Sequence, residues 1–126
     1  MLKKSILITI KPILAALFMV SAWCATPALA VEQQPNVAWQ KINNSATLID
    51  VRTPEEFAAG HVKGAINIPF ENIVTELGKL NLAKDTEVVL YCRSGRRSGI
   101  AQSALVDQGY TATYNAGGID SLMSAQ

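Results

Sequence analysis

Four short strand-like runs, separated by stretches of helical spacing, limit what this chain can fold into more than any other feature. They are Thr47-Leu48-Ile49-Asp50-Val51, Ala65-Ile66-Asn67-Ile68, Glu87-Val88-Val89-Leu90-Tyr91 and Thr111–Tyr114. Compact runs such as the first and third read as strands buried on both faces rather than exposed on one. Thr53-Pro54-Glu55-Glu56 has the makings of a helix start: Thr as cap, Pro in the first helical position, acids in the first turn. That helix carries Phe57 and Ala58 and stops at Gly60. Glu71–Leu80 sets Ile73, Leu77 and Leu80 on one stripe. Ser98–Gln108 turns Ile100, Ala104 and Leu105 inward and stops at Gly109. A polar lead-in, Glu32–Asn36, precedes a short helix over Val37–Asn43, and Gly117-Gly118 leads into a short terminal one. Strands alternating with helices predict an α/β fold, a central parallel sheet with helices on both faces. In such sheets, sites form at the carboxyl ends of the strands, and Cys92 follows the strongest strand.

The N-terminus reads differently. Lys3, Lys4 and Lys11 precede the apolar stretch Ile13–Ala22, and Ala28-Leu29-Ala30 supplies small residues at the exit. Positive flank, short apolar run and A-x-A pattern predict a secretory signal over residues 1–30, followed by one domain over 31–126. The apolar run is too short to span a bilayer comfortably, and Trp23 before Cys24 does not suit a lipidation signal. Three of the 11 basic residues lie ahead of the cut, which leaves eight against ten acidic residues. Neither the near-neutral whole nor the acidic remainder points to nucleic acid or to an anionic membrane.

Three of those eight basic residues crowd one cysteine, in Tyr91-Cys92-Arg93-Ser94-Gly95-Arg96-Arg97-Ser98. Cys24 leaves with the signal, so Cys92 has no partner for an internal disulfide in an oxidising compartment. It is an inert buried thiol, a dimer bridge or a reactive group. A cysteine between a strand and a helix start sits where amide N–H groups curl inward and the helix dipole is positive. A thiolate there is stabilised by hydrogen bonds and guanidinium charge. Gly95 gives the tight turn its backbone freedom, Arg96 and Arg97 offer forked donors to an oxyanion, and Ser98 is placed to cap the helix. The basic surroundings in an otherwise acidic domain favour the reactive reading. Asp50 and Arg52 read as a tie between neighbouring loops, His61 as a residue holding a turn, and Trp39 as core or cover.

Cys-x-x-Gly-x-Arg-Ser, filled by Cys92, Gly95, Arg97 and Ser98, resembles the active-site loop of single-domain rhodaneses. Two further stretches match in order and spacing. One is Leu48-Ile49-Asp50-Val51-Arg52 with Glu56-Phe57, running on to Gly60-His61-Val62 and Gly64–Pro69; the other is Asn115-Ala116-Gly117-Gly118-Ile119. With the export signal, the chain resembles the small periplasmic rhodaneses of the phage-shock type. That resemblance implies a rhodanese-like fold and a thiosulfate sulfurtransferase with Cys92 as catalytic residue. Arg93, Ser94, Gly95, Arg96 and Arg97 would bind the substrate. It implies thiosulfate as donor, cyanide or a thiol as acceptor, no cofactor and no metal. The expected state is a periplasmic monomer, free of the membrane after cleavage and without a nucleic-acid partner.

Two other functions fit parts of the pattern. A cysteine-based phosphatase uses a similar cradle but wants Cys-x5-Arg, and the residue at that spacing is Ser98. A non-catalytic persulfide carrier or sensor would hand its sulfur to one protein partner and fail to turn over small acceptors. The export reading has its own check: N-terminal sequencing of protein from the cell envelope should begin at Val31 or within a residue of it. Recovery of the full-length chain from the cytoplasm alone would sink it.

Overall fold

A computed structural model describes residues 32–126; the expected signal over 1–30 lies outside them. Along the chain come α1 (Pro35–Asn43), β1 (Thr47–Asp50), α2 (Pro54–Ala59), β2 (Ile66–Asn67), a 3-10 turn (Phe70–Asn72), α3 (Ile73–Gly78), β3 (Val88–Cys92), α4 (Arg96–Asp107), β4 (Thr113–Gly118) and α5 (Ile119–Ser124). The four strands form one sheet in the order β2-β1-β3-β4, every neighbouring pair parallel. This is the expected α/β architecture.

Strand alternation divides the core into two. Ile49, Val51, Val88, Leu90 and Cys92 face α3 and α4, packing with Ile73, Leu77, Ala101 and Leu105. Leu48, Val89, Tyr91, Tyr114 and Ala116 face the other way, against Ala38 of α1 and Leu122 of α5. Every residue of β3 is buried, which is why that run lacks polar alternation. Trp39 covers the second core, its indole N–H donating to the Leu122 carbonyl at 2.7 Å.

Some details depart from the sequence reading. The α1 helix begins two residues early because Pro35, in the polar lead-in, suits a first helical turn. The predicted helix over Glu71–Leu80 is a 3-10 turn followed by the short α3, and Leu80 leaves the stripe, 43% exposed. Ile100 is also on the surface, at 44%, while Ala101 takes the inward place. The last strand runs past Tyr114 to Gly118 and so contains Asn115 and Ala116. Its pairing with β3 shifts between Leu90 and Tyr91: Leu90 lies opposite Asn115, but Tyr91 lies opposite Gly117 and Cys92 opposite Gly118. Asn115, in register with Leu90, shares its α4-facing side of the sheet, and the bulge after it brings Gly117 and Gly118 opposite the end of β3.

The end of β1 is held by ions. Asp50, fully buried, receives the Nε and Nη2 of Arg52 at 3.0 and 2.7 Å, plus the Arg52 backbone N–H at 2.9 Å. Nη2 also donates to the Gly60 carbonyl at 2.7 Å, so the pair ties the strand end to the exit of α2, as the sequence suggested. Removing one partner of a buried pair leaves the other charge uncompensated. Arg52→Met should therefore cost about 3–5 kcal/mol. The check is urea unfolding, with the midpoint lowered at unchanged slope; a midpoint equal to that of the native protein would show that Asp50 does not need the guanidinium.

Candidate active site

The site forms where β3 ends and α4 begins. Cys92 is the last residue of β3, and only Arg93, Ser94 and Gly95 separate it from α4. To turn that sharply, the chain passes through a left-handed residue at Gly95 (φ 94°), which caps α4 and would strain any other residue type. The turn points the Gly95 N–H back at the Cys92 Sγ, 2.9 Å away. Gly118 also has a steric reason to be glycine: a Cβ there would lie 2.6 Å from the Arg93 carbonyl oxygen, so β4 could not approach the loop.

Cys92 is fully buried. Burial pushes its thiol up, but hydrogen bonds to the sulfur from the Ser98 hydroxyl and from the amides of Ser98, Ser94 and Gly95 outweigh it. The net shift is below the ordinary cysteine value. Ser98 contributes differently from the sequence expectation. The cap of α4 is Gly95, and Ser98 lies inside the first turn, fully buried. Its Oγ is 3.4 Å from Cys92 Sγ and donates at 2.7 Å to Asn115 Oδ1. The serine that reads as a helix cap is part of the sulfur's surroundings.

The arginines separate. Arg93 and Arg96 are exposed. Arg97 presents its fork to Glu56, Nη1 to Oε1 at 2.7 Å and Nη2 to Oε2 at 3.0 Å, which ties α4 to α2. Glu56 also closes the capping box of α2 with Thr53, so one carboxylate serves a helix start and the cysteine loop at once. His61 holds a turn as expected: it stacks on Phe57 with centroids 3.6 Å apart, and its Nδ1 meets the Phe57 carbonyl at 2.9 Å. Beside the Glu56–Arg97 bridge opens a cleft of about 420 Å³, lined by Arg52, Glu56, Gly60, His61, Ile119 and Met123 among others.

The sequence reading assigned no role to Glu56 beyond its helix, nor any to Asn115. Both lie in motifs singled out above, but only the folded chain brings them to the loop. Asn115 is 20 residues from Gly95 and donates to its carbonyl at 3.0 Å.

Residues 34–125 match the family model described as a rhodanese-like domain. The chain belongs to the rhodanese-like domain family. Thiosulfate sulfurtransferase PspE of Escherichia coli (strain K12) is 44% identical over 71 residues, 56% of this chain and 68% of that protein. A sulfurtransferase of Allochromatium vinosum is 41% identical over 68 residues, 54% of this chain and 62% of its own length. Among solved structures, one described as "rhodanese with anions from E. coli" superposes with a TM-score of 0.59 at 40% identity. It covers 61% of this chain and 91% of its own. The fold is thus that of the rhodanese-like sulfurtransferase family.

Within this rhodanese-like domain the Glu56–Arg97 bridge has a measurable signature. The guanidinium of Arg97 lowers the Glu56 carboxyl most; burial opposes it, and the Thr53 backbone N–H adds to the lowering, so the group falls from 4.5 to about 2. A depressed acid contributes stability above its unfolded pKa, and that contribution fades as pH falls through its folded value. The bridge should thus be fully formed at neutral pH and weaken only in strong acid. Carboxyl NMR should find Glu56 titrating near 2, and Arg97→Gln should move it back toward the usual carboxylate range. A Glu56 titration indifferent to Arg97→Gln would mean the contact is not formed in solution.

Proposed function

We propose that this protein is an exported thiosulfate sulfurtransferase that carries sulfur as a persulfide on Cys92. The observation that carries the reading is the buried Cys92 sulfur, ringed by the loop's hydrogen-bond donors at the head of α4. Such surroundings hold a thiolate without a neighbouring base. The names of its relatives, thiosulfate sulfurtransferase and sulfurtransferase, supply the donor class.

The chemistry is a two-step displacement. The Cys92 thiolate attacks the outer sulfur of thiosulfate; a new S–S bond forms, the donor's S–S bond breaks, and sulfite leaves with the electron pair. The negative charge now sits on the outer sulfur of the persulfide. Cyanide, or a thiolate in the cell, attacks that sulfur, and Cys92 departs again as the thiolate. Arg93 and Arg96, open to solvent, draw the dianion to the loop. The amides of Ser94 and Gly95 face the sulfur, and Arg97 braces the loop through Glu56. The lysine-flanked apolar run and Ala28-Leu29-Ala30 support export to the periplasm.

Incubation with thiosulfate should add one sulfur atom to the peptide that contains Cys92, and cyanide should remove it with release of thiocyanate. Cys92→Ser should abolish loading and thiocyanate production. Loading without turnover on any small acceptor would instead favour a carrier. Efficient hydrolysis of p-nitrophenyl phosphate, lost in Cys92→Ser, would replace the transferase with a phosphatase.

A further inference from the structure

One motif residue has no part in the chemistry above. Asn115 lies on β4, is nearly buried, and spends its carboxamide on the cysteine loop. Its Nδ2 donates to the Gly95 carbonyl at 3.0 Å. Its Oδ1 accepts from Ser98 Oγ at 2.7 Å and from the Gly117 N–H at 3.0 Å. Gly95 and Ser98 are also donors to the Cys92 sulfur. One side chain therefore grips two of the groups that stabilise the thiolate, from a strand that contributes no donor of its own. Asn115 is itself anchored: its backbone N–H donates to Glu32 at 2.8 Å, and its carbonyl accepts from the Gln33 N–H at 2.8 Å.

We infer that Asn115 is a positioning residue for sulfur transfer, a clamp that aims the Gly95 amide and the Ser98 hydroxyl at Cys92. The inference rests on the reading of Cys92 as the sulfur carrier. A proton count shows how the clamp works. Ser98 has one hydroxyl hydrogen and two acceptors within reach, Asn115 Oδ1 and Cys92 Sγ. With the thiol protonated, the hydroxyl donates to Asn115. Once the thiolate forms, the hydrogen turns to the sulfur, and Oδ1 keeps its bond from Gly117, so no polar atom is orphaned. When the persulfide forms, the charge moves to the outer sulfur and the Ser98 hydrogen returns to Asn115. The hydroxyl follows the charge through the cycle, and Asn115 holds it in place at both stages.

The charged groups around this sulfur are few. Arg96 and Arg97 lie on α4, the latter engaged by Glu56 of α2; Arg93 is in the loop, Asp50 and Arg52 neutralise each other at the end of β1, and Glu32 sits behind Asn115. None of them is altered by substitution at Ser98 or Asn115, so a shift in thiol reactivity in those variants reports the clamp.

The test is the pH profile of iodoacetamide alkylation, read on the Cys92 peptide by mass spectrometry so that Cys24 does not interfere. Ser98→Ala, a mild change in a helix, should leave about tenfold less thiolate below the midpoint, the size expected for losing one hydrogen bond to a charged sulfur. Above the midpoint its limiting rate should rise about threefold, because a more basic thiolate is the better nucleophile. Ser98→Thr, which keeps the hydroxyl, should restore the native profile. Asn115→Ala should shift the midpoint upward too, and the double variant should shift it by less than the sum of the two, since part of Asn115's effect passes through Ser98. A merely structural Asn115 would lower thermal stability and leave the midpoint in place. A fixed midpoint in folded Asn115→Ala, or additive shifts, would overturn the clamp. Thiosulfate loading of the native protein is measured separately, so a failure to load would count against the sulfur carrier while the alkylation profile still judges the clamp.

Discussion

Burial and charge oppose each other at one atom, and the arrangement around Cys92 follows from that conflict. A sulfur removed from water resists ionisation, and a thiol that resists ionisation is a poor nucleophile. The sulfur is fully buried, yet its pKa falls, because donors replace the lost water on the side facing the loop. Those donors stay aimed only while the turn after β3 keeps its shape. Gly95 must sit in the left-handed region, and Gly118 must let β4 lie against Arg93. The parallel pairing of β3 with β1 and β4 supplies the fixed frame against which the turn is built.

Around that frame, paired charges act as braces more than as reagents. Arg52 with Asp50 ties the end of β1 to the exit of α2, and Arg97 with Glu56 ties the start of α4 to the start of α2. The short helix α2 has no buried residue of its own and is held by its capping box and by these ions. Of the three loop arginines, only Arg93 and Arg96 remain exposed. One of the loop's three cations is thus committed to a carboxylate, and two are left to solvent.

Much of this was legible in the residues. Buried strands announce themselves by apolar runs, since a strand covered on both faces cannot alternate; β1 and β3 were found that way. The start of α2 was readable from Thr53-Pro54 because capping is local chemistry. Errors arose where the deciding contacts lie far apart in sequence. Ile100 and Leu80 fit helical stripes yet face solvent: Leu80 lies beyond the end of α3, and the sheet, not periodicity, sets which side of α4 is covered. Ser98 has the composition of a cap, but the left-handed Gly95 starts the helix earlier and turns the serine inward.

The sequence by itself determined the class of fold, the cysteine at a strand's carboxyl end and the basic character of its loop. Each depends on residues within one helix or strand length of each other. Tertiary structure decided which arginine is committed to a carboxylate, how the buried sulfur is compensated, and that Asn115 reaches back to Gly95 and Ser98. Those outcomes depend on the register between β3 and β4, which sets Asn115 opposite Leu90, on the face of the sheet that α4 covers. Such a register follows from the packing of the whole sheet, and no local stretch of the chain encodes it.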